Sequence, residues 1–413
     1  MKFSKKFLTL GLATALLLGS SLSANAYSPA YLHRIEGSNN YETAAKIADK
    51  QNYSNAILVN LDNSIADGLS SSGLAGATNS AILLTKKDSI PDVTMTRLNK
   101  VKNVYIIGGT NSVSVGVENT LKSKGITVTR ISGNDRNQTS LNVAKEVNKY
   151  SNSDYVFFAN GFKGEADAIS AAPIAAREKG IIILTDGYST SYNARNKDCY
   201  VIGGKESMSE NIVRATSGTR IGGQDRFETN KYLIQTYYWE SGIVEDDSNS
   251  YYIADGYNLV GALVGAPLAK KSPIVLVSKQ NVETSILSGA DNIITLGKVD
   301  ETAIDKAVDP FPVIGDMFGT WQNADDYTTY MRIEEDKFAW IWSNSGEELN
   351  RVYYKIKSVD KNKKSVVLER VGEDYKEYYR FTYINCNKFK LEYSTPYTGG
   401  WYEPDYYVSY TPW

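Results

Sequence analysis

One phrase of about fifteen residues occurs three times along the chain, and it constrains the fold more than any other feature. It reads RIEGSNNYETAAKIA from Arg34, RISGNDRNQTSLNVA from Arg130 and RIGGQDRFETNKYLI from Arg220. The copies begin 96 and 90 residues apart, which is longer than the roughly 20–50 residues of a solenoid repeat. Each repeat is therefore predicted to be a small domain, at residues 34–129, 130–219 and 220–315.

Each repeat alternates helical patterns with short apolar runs. In the first repeat ETAAKIADK is predicted to be a helix, and NAILVN, AILLT and VYIIGG are predicted strands. The runs are continuously apolar, which is typical of parallel strands covered by helices on both faces. The predicted fold class is therefore α/β, with three tandem doubly wound parallel-sheet modules.

A glycine pair follows a strand in two repeats, at Gly108–Gly109 and Gly203–Gly204. Glycines in this position also occur in nucleotide sites, but the third glycine of the dinucleotide motif and the lysine of a P-loop are absent here. The third repeat has Gly297–Lys298, so the second glycine is dispensable. A tight turn with close backbone approach is the favoured interpretation.

Acidic residues occupy matching places in the first two repeats, Asp67 and Asp167, whereas the third repeat has Gly261. A carboxylate at the start of a helix can accept hydrogen bonds from free N–H groups and is favoured by the helix dipole. A catalytic pair, as in a glycosidase, is the alternative. Because the two acids are copies in separate repeats, helix capping is favoured.

The first 26 residues have the pattern of a secretory signal peptide. A basic MKFSKK precedes the apolar FLTLGLATALLLG, and SANA ends at Ala26, which is the expected order of the three regions. The apolar run is too short to span a membrane. We therefore expect an exported protein with no membrane partner after cleavage.

Composition excludes several classes of function. The formal net charge of -2 argues against a nucleic-acid partner, which would favour a strong basic excess. With His33 as the single histidine, a Ser-His-Asp triad, a Cys-His pair or a multi-histidine zinc site would depend on that one residue. We expect His33 to be solvated and expect no metal and no cofactor. Cys199 and Cys386 are too few for a disulfide scaffold, and Cys199 is expected to be a buried thiol.

Residues 316–413 differ in character and hold fourteen of the 30 tyrosines and five of the six tryptophans. Their short aromatic and β-branched runs predict a small antiparallel β domain, either a barrel or a sandwich. The segment FGTWQ gives it a faint resemblance to lipocalin-like barrels, although a tryptophan there is more often core. The final TGGWYEPDYYVSYTPW is predicted to be a final β-edge rather than an exposed carbohydrate-binding strip.

The repeated phrases, in their order, spacing and copy number, resemble cell-wall-binding repeats of type 2, the modules of clostridial S-layer and cell wall proteins. The resemblance covers residues 34–315. It implies a pseudo-threefold arrangement, attachment without a covalent bond to the Gram-positive wall, and recognition of an anionic secondary cell wall polymer. Neighbouring S-layer proteins are further candidate partners, and the implied location is outside the cell, on the wall or in the S-layer.

The resemblance also implicates a short PILL-like motif of each module in binding. From the residues alone this run is a core strand that positions its C-terminal end, where helix N-termini can meet an anion. The planar guanidinium of arginine suits phosphate, but an Arg–Asp pair within the repeated turn is the favoured role for these arginines. The predicted polymer-binding residues are Ile82, Leu83, Leu84, Thr85, Ile182, Ile183, Leu184, Thr185, Ile274, Val275, Leu276, Ser278, Arg34, Arg130, Arg136, Arg220 and Arg226.

The copies of these motifs are not identical. Only the third keeps the proline, as Pro273, and the first repeat has Asn39–Asn40 where the others have Asp–Arg. These departures argue against equal binding by all three modules. Three weak, similar sites on one body would still add by avidity along a repeating polymer.

A secreted, wall-anchored surface protein without enzymatic activity is the favoured function. One alternative is a wall hydrolase that uses acids of the C-terminal domain such as Glu334, Glu335 or Asp336. The other is a small-ligand carrier, which would need an apolar cavity in that domain.

Overall fold

The computed structural model describes residues 30–62, 64–239, 250–287, 290–308, 319–325, 329–334, 337–342, 348–360, 365–372, 376–385, 388–395, 400–402 and 404–409. The predicted signal peptide, Cys386, Glu335 and Asp336 lie outside these ranges.

The repeat region contains twelve described strands, which are β1 (Tyr31–Ile35), β2 (Asn55–Val59), β3 (Ser80–Leu84), β4 (Asn103–Ile107), β5 (Thr127–Ile131), β6 (Tyr155–Asn160), β7 (Ile181–Thr185), β8 (Asp198–Ile202), β9 (Thr219–Ile221), β10 (Ser250–Asp255), β11 (Ile274–Val277) and β12 (Asn292–Leu296). The described helices are α1 (Asn40–Ala48), α2 (Ser71–Thr78), α3 (Asp92–Leu98), α4 (Val115–Ser123), α5 (Arg136–Val147), α6 (Glu165–Glu178), α7 (Glu210–Thr216), α8 (Arg226–Ile234), α9 (Val260–Gly265), α10 (Thr284–Leu287) and α11 (Glu301–Val308). A 3-10 turn lies at Ala66–Gly68, and a π-helical turn at Gln235–Trp239.

The strands form three parallel four-stranded sheets. Their orders are β3-β2-β4-β5 in the first sheet, β7-β6-β8-β9 in the second and β11-β10-β12-β1 in the third. All pairings are parallel. The predicted α/β class with three doubly wound modules is confirmed.

The last strand of each sheet carries the arginine that opens the following copy of the repeated phrase. β5 and β9 complete the first and second sheets, and β1 completes the third by pairing with β12, with Tyr31 opposite Asn292 and Ile35 opposite Leu296. The helix after each of these strands packs on a different sheet: α1 on β3, α5 on β7 and α8 on β11. The repeated phrase is therefore the crossover between modules, and β1 closes the modules into a ring.

The PILL-like strands β3, β7 and β11 are the edge strands of the sheets, and each is covered by a central helix of another module, α9, α2 and α6 respectively. Free edge groups are satisfied by side chains from α5 and α8. The Leu184 N–H donates to Ser140 Oγ (3.0 Å), and the Leu276 N–H donates to Asn230 Oδ1 (2.9 Å). Because an edge strand needs such cover, the apolar runs are explained by module packing, and their interpretation as core strands is confirmed.

Helices α2 and α6 touch backbone to backbone, which explains the small residues in both. A methyl group at Gly76 would lie 1.9 Å from the Ala176 carbonyl oxygen. One at Gly73 would lie 1.8 Å from the Gly180 carbonyl oxygen. Any side chain at these positions would force the modules apart.

The C-terminal strands are β13 (Gly319–Asn323), β14 (Thr329–Ile333), β15 (Lys337–Trp342), β16 (Glu348–Asp360), β17 (Ser365–Arg370), β18 (Tyr378–Asn385), β19 (Lys388–Ser394) and β20 (Asp405–Ser409). They form a closed antiparallel barrel in chain order, as in up-and-down barrels. The predicted β domain is thus a barrel and not a sandwich. Part of the final aromatic segment forms the predicted strand, but β20 pairs with both β13 and β19, so it closes the barrel and is not an edge.

The barrel has its own hydrophobic core. Trp321 of the FGTWQ segment, Phe338 and Phe381 are buried in it, and the Trp340 indole N–H donates to the Tyr407 hydroxyl (2.9 Å). The buried clusters of the modules share no residue with this core. None of the helices in the described ranges combines the length and apolar character needed to cross a bilayer.

Replacing Gly76 by Ala should destabilise the ring by about 1–3 kcal/mol, because the added methyl overpacks the α2–α6 contact. Gly116→Ala in α4 is the matched control, since a methyl there meets nothing closer than Ser114 Oγ at 3.5 Å. The control should be neutral or up to about 1 kcal/mol more stable. Thermal and denaturant unfolding of both variants would measure this, and equal effects would contradict the packing account.

Candidate functional site

The strand order places a crevice at one end of each sheet. In the second sheet β6 lies between β7 and β8, so the chain passes from β6 to β7 on one side of β6 and then to β8 on its other side. Doubly wound folds bind ligands at such a switch point, outside the carboxyl ends of the strands. A cleft of about 650 Å³ lies there. It is lined by Phe162, Lys163, Gly164, Glu165, Ala166, Asp167, Gly204, Lys205, Glu206, Ser207, Gly223, Gln224, Asp225, Arg226, Thr229, Tyr257 and Leu259.

Two neighbouring repeats build this cleft, which we call the second junction. The loops after β6 and β8 come from the second repeat, and the turn that begins at Gly223 comes from the third. The equivalent first junction joins Asp67 of the first repeat to Arg136 of the second. The third junction joins the third repeat to the first across a smaller cleft of about 290 Å³.

The glycine after β4 and β8 is required by the turn. Gly108 and Gly203 have φ of +117° and +119°, in the region that favours glycine. A Cβ at Gly203 would also lie 2.6 Å from Asp167 Oδ2, and one at Gly108 would lie 2.6 Å from Asp67 Oδ2. The interpretation of these glycines as part of a tight turn is confirmed. The group that lies close to each glycine is the carboxylate of Asp67 or Asp167.

Asp67 and Asp167 face the junctions and do not cap helices. Neither α2 nor α6 has a side-chain capping hydrogen bond, and the N-cap of α6 is Gly164. The Ser207 hydroxyl donates to Asp167 Oδ2 (3.5 Å). The capping interpretation is wrong, because Asp167 lies inside the first turn of α6 and accepts from Ser207, while Asp67 lies inside the 3-10 turn with its carboxylate against Gly108.

Burial dominates the electrostatics of these acids. Desolvation raises the pKa of Asp167, against opposing contributions from Thr229, Ser207 and Arg226. Desolvation also raises the pKa of Asp67, against Ser112 and Arg136. Each acid therefore lies within the electrostatic reach of the arginine that begins the first helix of the next repeat.

The third junction lacks both members of this arrangement. Gly261 replaces the aspartate, and a Cβ there would lie 1.8 Å from the Leu296 carbonyl oxygen. Asn40 replaces the arginine, and both residues line the smaller cleft. Asn40 and Gly261, which are more than 200 residues apart in the sequence, thus lie at the same junction.

The repeated turn is held by a fixed set of hydrogen bonds. Asp135 accepts from the Gln138 N–H (2.7 Å) and Asp225 from the Glu228 N–H (2.9 Å), so both are helix N-caps. Asn39 does the same in the first repeat. The favoured interpretation of an Arg–Asp pair within the turn is wrong, because these aspartates cap helices while Arg136 and Arg226 donate to backbone carbonyls of other loops. A glycine N–H donates to a threonine hydroxyl at 3.0 Å in every copy, in the pairs Gly37–Thr43, Gly133–Thr139 and Gly223–Thr229.

Arg136 and Arg226 each support an aromatic ring. Arg136 donates to the Gly161 carbonyl, and its guanidinium lies 4.7 Å from the centre of the Phe162 ring. Arg226 donates to the Gly256 carbonyl at 2.7 Å and lies 4.9 Å from the centre of the Tyr257 ring. Both arginines thus link a repeated turn to the loop after the next strand.

The arginines that open the repeats form ion pairs. Arg34 pairs with Glu301 (2.6 Å), Arg130 with Glu118 (2.9 Å) and Arg220 with Glu210 (3.0 Å). Arg130 and Arg220 also donate to the carbonyls of Gly108 and Gly203, at 3.0 and 2.9 Å. These contacts tie the last strand of each sheet to the helix beside it.

The PILL-like residues lie at three separate sheet edges and do not reach the switch-point clefts. Ile82, Leu83, Leu84, Thr85, Ile182, Ile183, Leu184, Thr185, Ile274, Val275, Leu276 and Ser278 are all buried. The three hydroxyls shape local loops: Thr85 donates to Ser89, while Thr185 and Ser278 accept from the N–H groups of Gly187 and Asn281. A small cavity of about 180 Å³ adjoins Leu184 and Thr185.

Sequence reasoning missed the cleft residues Phe162, Lys163, Lys205 and Tyr257. Each follows the end of a predicted strand by a few positions, which is the available sequence marker. The cleft lies after β6 and β8 and not after β7. This follows from the order of the strands in the sheet, which cannot be read from the sequence alone.

The remaining candidates have simple surroundings. His33 is exposed, with Nε2 3.2 Å from Asn292 Oδ1, and Cys199 is a buried free thiol as expected. Within the described ranges no three His, Cys, Asp or Glu side chains are grouped as a metal site would need. Glu334 pairs with Lys337 at 2.8 Å. The buried apolar side chains of the barrel that the structure describes form one hydrophobic cluster.

Comparisons with known proteins identify the repeats. The family model described as cell wall binding domain 2 matches residues 34–118, 130–213 and 220–309. The N-acetylmuramoyl-L-alanine amidase LytC of Bacillus subtilis (strain 168) is 34% identical over 268 residues, which cover 61% of this chain and 51% of that protein. The amidase enhancer of the same organism is 33% identical over 265 residues, covering 62% and 36% respectively.

Two solved structures share the fold. Cwp6 from Clostridium difficile matches with a TM-score of 0.60 at 29% identity, over 70% of this chain and 50% of that one. Cwp8 from the same organism matches with a TM-score of 0.58 at 30% identity, over 67% and 51%. The present chain spans about half the length of these structures and half or less of the curated relatives.

The buried carboxylate at the second junction should give stability a distinctive pH dependence. Asp167 has a pKa raised above its ordinary 3.8, so its ionisation costs stability as pH rises above about 4. Asp186 has a lowered pKa because the N–H groups of Tyr188 and Ser189 bond its carboxylate, so its contribution is lost as pH falls below about 4.

Free energies of unfolding measured from pH 3 to 8 should therefore change in opposite directions for two matched variants. The free energy of unfolding of wild type minus that of Asp167→Asn should fall as the pH rises. The free energy of unfolding of wild type minus that of Asp186→Asn should rise as the pH rises. Parallel curves for the two differences would contradict the burial of Asp167.

Proposed function

The chain belongs to the cell wall binding domain 2 family, and we propose from that premise that its three repeats bind an anionic secondary polymer of the Gram-positive wall. The family match and the clostridial structures make it a cell-wall-associated surface protein. The proposal adds the export of the chain, the chemistry of the polymer and the place where it binds.

The observation that carries the proposal is the cleft shared by neighbouring modules. It lies where doubly wound sheets bind ligands. Its lining includes three cationic side chains, Lys163, Lys205 and Arg226, beside the acids Glu165, Asp167, Glu206 and Asp225. Cationic side chains at such a place favour an anionic ligand. Because each junction draws on two repeats, binding of this kind requires neighbouring repeats to be packed together.

The predicted motif residues take an indirect role in this proposal. The strands β3, β7 and β11 are buried against helices of neighbouring modules, so they hold the junctions in register. Arg34, Arg130 and Arg220 do the same through their ion pairs. Arg136 and Arg226 lie at the junctions and are the arginines nearest to a bound polymer.

The barrel is proposed to be the displayed part of the molecule. Its core is separate from the cores of the modules, so it can be attached to the ring without contributing to wall binding. Neighbouring S-layer proteins are candidate partners for it. No described contact favours a hydrolase: Glu334 is paired with Lys337, and the related amidase shares only half its length with this chain.

Wall binding should follow the repeats when the two parts are separated. A fragment of residues 27–315 should sediment with purified clostridial walls as fully as the chain from residue 27 to 413. The barrel fragment, residues 316–413, should stay in the supernatant. Stripping the secondary polymer from the walls should release the ring fragment by removing its anionic ligand.

The matched comparison uses walls before and after stripping, with circular dichroism to show that each fragment is folded. Sedimentation of the folded barrel alone, or unchanged binding of the ring to stripped walls, would contradict the proposal.

A further inference from the structure

The three junctions offer different surfaces to a polymer. We propose that the second junction is the principal polymer site, where Phe162 and Tyr257 contact sugar rings and Lys163 and Lys205 contact the anionic groups, and that the third junction is a structural joint. This inference rests on the proposed function and names the residues that set its affinity.

The two aromatic rings are exposed but held in place. Phe162 is 56% exposed and Tyr257 is 66% exposed. Each has a guanidinium on one side, from Arg136 and Arg226, at 4.7 and 4.9 Å from the ring centre. A ring fixed in this way offers its remaining surface to a ligand at a small cost in entropy. Exposed aromatic rings of this kind mark binding surfaces.

The rings come from neighbouring repeats and line the same cleft. Phe162 follows β6 and Tyr257 follows β10, yet both border the cleft of about 650 Å³. That volume lies within the range of roughly 300–1,000 Å³ that is usual for ligand sites. A saccharide in the cleft would therefore contact both repeats.

The charges of the cleft leave two lysines available. Lys163 and Lys205 take part in no ion pair within the described chain. Of the four acids in the lining, Asp225 caps α8, Glu165 lies 3.7 Å from Arg136 and Asp167 is buried beside Ser207, which leaves Glu206 as the exposed opposing carboxylate. The ligand that fits is a saccharide that carries phosphate or carboxylate groups.

The other junctions lack this combination. Asp62 stands where the second repeat has Phe162, and Thr110 stands where it has Lys205. The third cleft contains Asn258 and a single lysine, Lys298, and no aromatic side chain lines it. Its smaller volume and the loss of the Asp–Arg arrangement agree with a joint that holds the ring closed.

Binding of purified secondary wall polymer to the chain of residues 27–413, measured by calorimetry, tests the inference. The double variant Lys163→Ala/Lys205→Ala should weaken binding by at least about tenfold and reduce its dependence on salt. Phe162→Ala should also weaken it by several-fold, while Tyr257→Phe should preserve it because the ring remains. The matched control Lys298→Ala in the third cleft should stay within about twofold of wild type.

Thermal unfolding of every variant separates loss of binding from loss of folding. Equal losses for Lys298→Ala and for the double lysine variant would overturn the inference, as would a double variant that binds like wild type. In either case walls would still retain the ring, and the proposed function would stand. If the unaltered chain fails to bind the polymer, both the inference and the proposed function fail.

Discussion

The parallel pairing of β1 with β12 is the interaction on which the rest of the structure depends. It joins the beginning of the repeat region to its end and gives the third sheet its fourth strand. The other two sheets are completed in the same way by β5 and β9, so every module is finished by the strand that leads into the next copy of the repeated phrase. The junction clefts exist because the crossover at each boundary brings a helix start to the switch point of the preceding sheet.

This construction explains the small residues and the buried acid that lie where the modules meet. Gly76 and Gly73 permit α2 to touch α6, and Gly203 gives space to the carboxylate of Asp167. A buried acid is tolerated there because hydroxyls and an arginine of the next repeat oppose its desolvation. Where Gly261 removes the acid, Asn40 removes the arginine, so neither member of the Asp–Arg arrangement is left at that junction without the other.

The sequence predicts the local elements well because their causes are local. Apolar runs such as AILLT predict buried parallel strands, and the tyrosine-rich tail predicts antiparallel ones. The partner of β1 lies about 260 residues away and leaves no local mark. For the same reason Asp167 resembles a helix cap, and the stacking of Arg226 on Tyr257 is invisible before the strand order is known. Alternation alone likewise cannot separate a barrel from a sandwich, because β20 closes on β13 only in the folded chain.

Hydrogen exchange of the chain of residues 27–413, with and without purified secondary wall polymer, tests the central claim most directly, because it locates binding without altering the protein. The account predicts added protection in the loops that line the second junction, residues 161–167, 204–207 and 223–226, with smaller changes at the third junction. Protection confined to the barrel strands, or spread equally over the outer helices of all three modules, would contradict it.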